Sequence, residues 1–136
     1  MDIDTARSYI RDHHHAVLAT RRRDGSPQLS PVAIAVLSNG LIVISSRETA
    51  MKTRNIRRDP VVSICVIQDG FFGEWVQLDG TAEVLSLPEA MENLIDYYRA
   101  VAGEHPDWEE YRSAMAREKR VMLVVTPTRA GPNQSG

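Results

Sequence analysis

Asn39-Gly40-Leu41-Ile42-Val43-Ile44-Ser45-Ser46-Arg47-Glu48-Thr49-Ala50-Met51-Lys52-Thr53-Arg54-Asn55-Ile56-Arg57-Arg58-Asp59-Pro60 is the stretch that decides the fold. Asn-Gly is the strongest short hairpin signal in the chain, because both residues tolerate the positive φ of a two-residue turn. The β-branched run Leu41–Ser45 reads as a strand, and a turn that short permits only antiparallel pairing with whatever precedes it. The segment after the strand reads as one short helix that Asp59-Pro60 stops, since the residue before proline is pushed out of the helical region.

Between Arg47 and Asp59 stand five basic residues (Arg47, Lys52, Arg54, Arg57, Arg58) against two acidic ones (Glu48, Asp59). A strand that ends in the hydroxyls of Ser45 and Ser46 and feeds a helix with a lysine in its first turns is a candidate anion site. Hydroxyls, free amides and the positive helix end all favour negative charge there. At about 100° per residue, Thr49, Lys52, Thr53 and Ile56 share one face, while Arg54, Arg57 and Arg58 share the other. Ile56 must be buried, so Lys52 leaves the helix beside the buried face and can reach a crevice. The three arginines read as a solvated face.

Upstream of the Asn-Gly turn, Pro27–Leu37 reads as a strand whose first half alternates and whose second half is apolar. Pro31 has no amide proton and marks an edge, bulge or bend. The charged turn Arg21–Gly25 joins it to an apolar strand, Ala16–Thr20. Before that, Asp4 is expected to cap a helix over Thr5 to Asp12. The adjacent His13, His14 and His15 point in different directions on a strand or loop, which suits a single metal ion poorly.

Downstream of Pro60, Val61–Ile67 reads as a strand covered on both faces, and Asp69–Gly73 as a turn with exposed Phe71 and Phe72. Glu74–Leu85 is a longer strand in which Gly80 signals a bulge or a close backbone approach. Pro88 opens a helix with the apolar stripe Met91, Leu94, Ile95, Tyr98 and Val101. Asp107 caps a second helix, and Arg120–Thr126 is a sixth strand that Pro127 ends. Six strands at hairpin spacing with helices at these places predict a mainly β (α+β) fold, a small antiparallel barrel closed by flanking helices. One domain over residues 1–128 is expected, followed by a disordered tail over 129–136.

The 136 residues, 43% hydrophobic and 25% charged, suit one globular domain. A net charge of −2 argues against general nucleic-acid binding. No apolar run approaches the ~20 residues that span a bilayer, and the N-terminus lacks a signal-peptide pattern, so no membrane association and a cytoplasmic location are expected. The single Cys65 lies in a strand where a thiol is inert. No nucleophile elbow or glycine-rich phosphate loop occurs. His105, followed by Pro106 between two helices, reads as a surface residue. An anion site without acid-base machinery suggests chemistry borrowed from a phosphorylated cofactor.

Gly25-x-Pro27-Gln28-Leu29-Ser30-Pro31-Val32, the block Lys52-Thr53-Arg54-Asn55-Ile56-Arg57-Arg58-Asp59-Pro60-x-x-Ser63, and Gly80-Thr81-Ala82-Glu83-Val84 together resemble the split β-barrel superfamily of pyridoxamine 5′-phosphate oxidase-like flavoproteins. The Lys52–Pro60 block and the junction Ala102-Gly103-Glu104-His105-x-Asp107-Trp108 resemble its deazaflavin branch, which uses coenzyme F420. The resemblance spans about residues 5 to 128. It implies a six-stranded split barrel of the FMN-binding type and a homodimer with cofactor sites at the subunit interface. It implies that Lys52 grips the phosphate with Ser45 and Ser46, flanked by Arg47, Met51 and Thr53. Gln28, Leu29, Ser30, Pro31 and Val32 would line the ring, with Trp75 and Gln77 of the partner subunit opposite.

The residues themselves leave other readings open: Gln28 and Ser30 read equally well as ordinary outward strand residues, and Trp75 as core or interface packing. Ala50 stands where many members carry an arginine, so Arg47 or Arg54 is a candidate replacement. The implied activity is hydride transfer from reduced F420 to a small electron-poor organic acceptor. The alternatives are an FMN-dependent oxidase or reductase and a non-catalytic protein that binds a cofactor or tetrapyrrole.

Overall fold

The computed structural model describes residues 1–132. Strands β1 (His15–Arg21), β2 (Pro27–Val36), β3 (Ile42–Arg47), β4 (Val61–Ile67), β5 (Trp75–Leu85) and β6 (Arg120–Gly131) close into a barrel. The order around it is β1-β2-β3-β6-β5-β4, and every neighbouring pair is antiparallel. Helices α1 (Ile3–Asp12), α2 (Met51–Arg58), α3 (Met91–Ala102) and α4 (Trp108–Arg117) flank it. This is the small antiparallel barrel that the hairpin spacing predicts and the split barrel that the resemblance implies.

Strand alternation sorts the side chains into two layers. Leu18, Ile34, Ile44, Ile64, Leu78 and Leu123 fill the barrel interior, where Ala6 and Ile10 of α1 join them. Ala35, Val43, Met122 and Val124 face outward and meet Leu94, Ile95 and Tyr111 of α3 and α4. Burying each large side chain stabilises by roughly 1.5–3 kcal/mol, so both layers hold the helices to the barrel.

Several expected boundaries move, each for a local reason. Helix α1 begins at Ile3, because Asp2 and not Asp4 is its cap; the Asp2 carboxylate accepts the Thr5 amide at 2.7 Å. That bond lowers the Asp2 pKa. Strand β3 runs through Ser45, Ser46 and Arg47, since β6 pairs with it as far as Arg47 opposite Arg120. Helix α2 therefore starts only at Met51. Pro88 lies in a turn ahead of α3 and is not its first residue.

Pro127 does not end β6. The register shifts between Asp79 and Gly80, placing Gly80 opposite Pro127, and pairing continues to Gln77 opposite Gly131. Residues 129–131 are thus strand and not tail; residues 133–136 lie outside the described part. Strand β4 is covered on its inner face, but Val61, Ser63, Cys65 and Ile67 on the outer face are only half-buried.

The split follows from Pro31. Along β2, residues 27–33 pair with β1, yet only Ile34, Ala35 and Val36 pair with β3. Without an amide proton, Pro31 cannot extend a ladder on that side. The first half of β2 diverges from β3 there, and the Tyr97 hydroxyl donates to the free Ala33 carbonyl at 2.9 Å. The opening faces α2, α3 and α4.

Candidate functional site

The opening leads into a cavity of about 580 Å³, within the range of small-ligand sites. Pro31, Val32 and Ala33 form its β2 wall, Ser45 and Arg120 its floor, and Lys52 reaches in from α2. The far wall comes from α3, α4 and their junction: Tyr97, Tyr98, His105, Glu110, Tyr111 and Met115.

One end is cationic. Lys52 has no hydrogen-bond or ion-pair partner among the described residues. Burial first, and then the charges of Arg120 and Arg47, hold its pKa below the ordinary 10.5. Arg47 and Arg120 both bind Oε1 of Glu118, at 3.0 and 2.9 Å. These bonds lower the Glu118 pKa. One carboxylate therefore stands among three cations, an arrangement that an incoming anion would relieve. The other end is aromatic and largely neutral. Its Tyr97 and Tyr111 hydroxyls donate to the Ala33 and Leu94 carbonyls, and burial raises both pKa values, that of Tyr111 to about 12.

Of the residues predicted from sequence, Lys52, Ser45, Pro31 and Val32 meet at this cavity. Arg47 acts on Lys52 through its charge while paired to Glu118. Others lie elsewhere. Ser46 and Thr53 are 1% and 0% exposed, and their hydroxyls bond each other at 2.8 Å. Thr53 Oγ1 also donates to the Arg47 carbonyl at 2.7 Å, so this pair locks α2 to β3 and presents nothing to a ligand.

Gln28 shares the inward face of Leu18 and Thr20, and its Oε1 accepts from Thr20 and from buried Asn55. Ser30 lies on the same face, opposite Leu18, and receives a bond from Gln28. Leu29 and Met51 are exposed. Trp75 and Gln77 line a separate hollow of about 240 Å³ with Asp79 and Arg129, away from Lys52 within one chain. Arg54 is exposed and not part of the cavity wall.

Sequence reasoning missed Arg120, Tyr97, Tyr111, Met115 and, above all, His105, which is a wall residue and not a surface one. The available signal was the apolar stripe of α3, whose edge carries Tyr97 and Tyr98. No local pattern told that this edge faces Lys52. The three consecutive histidines form no metal cluster, and none occurs among the described residues. His13 lies against Tyr9, His14 Nδ1 pairs with the Ile34 carbonyl, and His15 meets Asp69.

The barrel thus splits beside a proline-bearing strand, and the split holds a cavity with a cationic end and an aromatic wall. The sequence profile of pyridoxamine 5′-phosphate oxidase matches residues 3–133, and the chain belongs to that family. Among solved structures it is similar to a conserved hypothetical protein of Mycobacterium tuberculosis, with 24% identity and a TM-score of 0.78, over 100% of this chain and 92% of that one. An F420 reductase matches at 23% identity and a TM-score of 0.69, over 91% and 94%. The heme storage protein of Vibrio cholerae matches at 18% identity and a TM-score of 0.70, over 96% and 94%. At these identities the likeness is one of fold. No described helix is long and apolar enough to cross a membrane.

Proposed function

We propose that this chain is an F420H2-dependent oxidoreductase that reduces a small electron-poor organic acceptor such as a quinone or an enone. The observation that carries the reading is Lys52: a half-buried ammonium without a carboxylate partner among the described residues, beside two arginines, at the mouth of a cavity with an aromatic wall. That donor set suits a phosphorylated tail at one end and a flat ring at the other. When bound, the reduced deazaflavin supplies the hydride.

The chain's own residues bind and shield. Lys52 and the Ser45 hydroxyl hold the phosphate, Pro31 and Val32 border the ring, and Tyr98 and Met115 exclude water. A second copy, docked on the outer face of β1, β4 and β5, would bring Trp75 and Gln77 to the site. A cytoplasmic homodimer is the assembly that goes with this reading.

The test is titration of F420 and of FMN by fluorescence quenching. Wild type is expected to prefer F420, and Lys52→Ala to lose at least tenfold, about 1.4 kcal/mol. Circular dichroism of the variant should be unchanged. Equal F420 affinity in the two proteins would remove the anchoring role. A protein purified yellow, with a flavin spectrum, would favour FMN, and a Soret band on heme addition with no turnover would favour a storage role.

A further inference from the structure

The junction Glu104-His105-Pro106-Asp107-Trp108 does something the cofactor reading leaves unexplained: it holds one imidazole in a single orientation. The Asp107 amide donates to His105 Nδ1 at 2.9 Å, while the Asp107 carboxylate accepts from the Glu110 amide and caps α4. Glu104 accepts from Trp108 Nε1 at 3.2 Å and from Arg99 Nε at 2.8 Å, and the Arg99 guanidinium lies 4.8 Å from the Trp108 ring centroid. Tyr98, Trp108 and Tyr111 surround the imidazole, with centroids 5.0, 5.6 and 5.5 Å away.

A ring nitrogen that accepts an amide proton carries none of its own, so the neutral imidazole bears its proton on Nε2. No atom of the described residues bonds Nε2. Because no described side-chain nitrogen or oxygen is both buried and without a partner, Nε2 is open, and the ring forms part of the cavity wall. The Tyr97 and Tyr111 hydroxyl protons are already directed to backbone carbonyls. Among the described residues, Tyr98 is the one other aromatic of that wall whose polar group has no partner.

We propose that His105 Nε2–H is the carbonyl-binding donor of this cavity. It hydrogen-bonds the oxygen of a flat, conjugated ketone or quinone that lies on the aromatic wall, opposite the Lys52 end. This rests on the F420 reading for its reductant. The hydride pair goes to a carbon conjugated with the carbonyl, negative charge develops on the oxygen, and water supplies the proton that completes the reduction. His105 stabilises the oxygen as a neutral donor and gives up no proton, as befits a preorganised electrostatic group.

The experiment binds 2-methyl-1,4-naphthoquinone to the full chain without F420. Affinity is read by tryptophan quenching in the Trp75→Phe background, which leaves Trp108 as the one tryptophan, and the carbonyl stretch of the bound quinone by infrared difference spectroscopy. His105→Asn keeps an acceptor for the Asp107 amide and removes the cavity donor. It should bind about tenfold more weakly and abolish the carbonyl downshift, with the melting temperature unchanged. His105→Gln, which restores an amide donor near Nε2, should recover part of the downshift, and Tyr98→Phe should retain the affinity. An unchanged carbonyl frequency in His105→Asn, or a loss that appears in Tyr98→Phe instead, overturns the proposal. Failure of the F420 reading shows separately, as unaltered F420 binding in Lys52→Ala.

Discussion

Lys52 is an ammonium held where it is uncomfortable. Burial and the Arg120 and Arg47 charges disfavour its protonated form, so its folded pKa lies below the 10.5 of a free lysine. For a lysine this sign means that the ligand-free fold gains stability as pH rises through the depressed value towards the ordinary one. Anion binding has the opposite slope, because it needs the proton in place. F420 affinity is therefore expected to fall at a pH below 10.5, and Lys52→Arg, which stays charged, should flatten that fall. A titration across about pH 7 to 10 measures both; an equal decline in the two proteins contradicts the assignment. Thr53 shows the contrasting role of a neighbour. Thr53→Val would leave the Ser46 hydroxyl and the Arg47 carbonyl without their partner. The expected cost is about 1–3 kcal/mol in a urea melt, with little direct loss of phosphate contact. Reading Ser46 and Thr53 as ligand contacts was the natural inference from hydroxyls beside a lysine. Register decided otherwise: along β3, Ser45 faces outward with Val43 and Arg47, and Ser46 inward with Ile44.

Helix α2 and the β5–β6 ladder show how elements place the site. Helix α2 has no side-chain cap at Ala50, and its position depends on Ile56, Thr53 and Asn55 buried beneath it. Asn55 donates to Thr20 of β1 and to Gln28 of β2, tying the helix to the hairpin whose second strand diverges from β3 at the cavity. The bulge at Gly80 is the corner that lets β6 continue past Pro127. A Cβ on Gly80 would lie 2.2 Å from the Thr126 carbonyl oxygen, and both are backbone positions with no rotamer to yield. Gly80→Ala is expected to cost about 3 kcal/mol, the upper end of overpacking, because the ladder itself must shift. Thermal melting of the variant checks this; a loss below about 1 kcal/mol would mean the bulge relaxes freely.

At the scale of the molecule, helices cover one outer side of the barrel and leave the other bare. Leu29 is 63% and Trp75 43% exposed, with half-buried Ile67 and Cys65 on the same outer side. The cavity lies between the two, with Pro31 of the bare side on one edge and α3 and α4 on the other. If the bare side docks a second copy, sedimentation should give a particle of twice the 15.2 kDa chain. Trp75→Glu should then move it towards the monomer and weaken F420 binding together. A wild-type monomer that binds F420 at full affinity would separate the site from any dimer.

Alternation, Asn-Gly and Asp-Gly turns, and the prolines after Asp59 and before Val32 are local facts of the chain. They were enough to count the strands, pair the first three, foresee the Gly80 bulge and single out Lys52, because turn geometry and side-chain period act over a few residues. The wall opposite Lys52 is different. His105 and Arg120 lie 53 and 68 positions further along the sequence (105 − 52 and 120 − 52). They reach the cavity only because β6 closes against β3 and α3 and α4 settle on the outward layer of that pair. No periodicity encodes such a meeting; long-range packing of two apolar layers creates it.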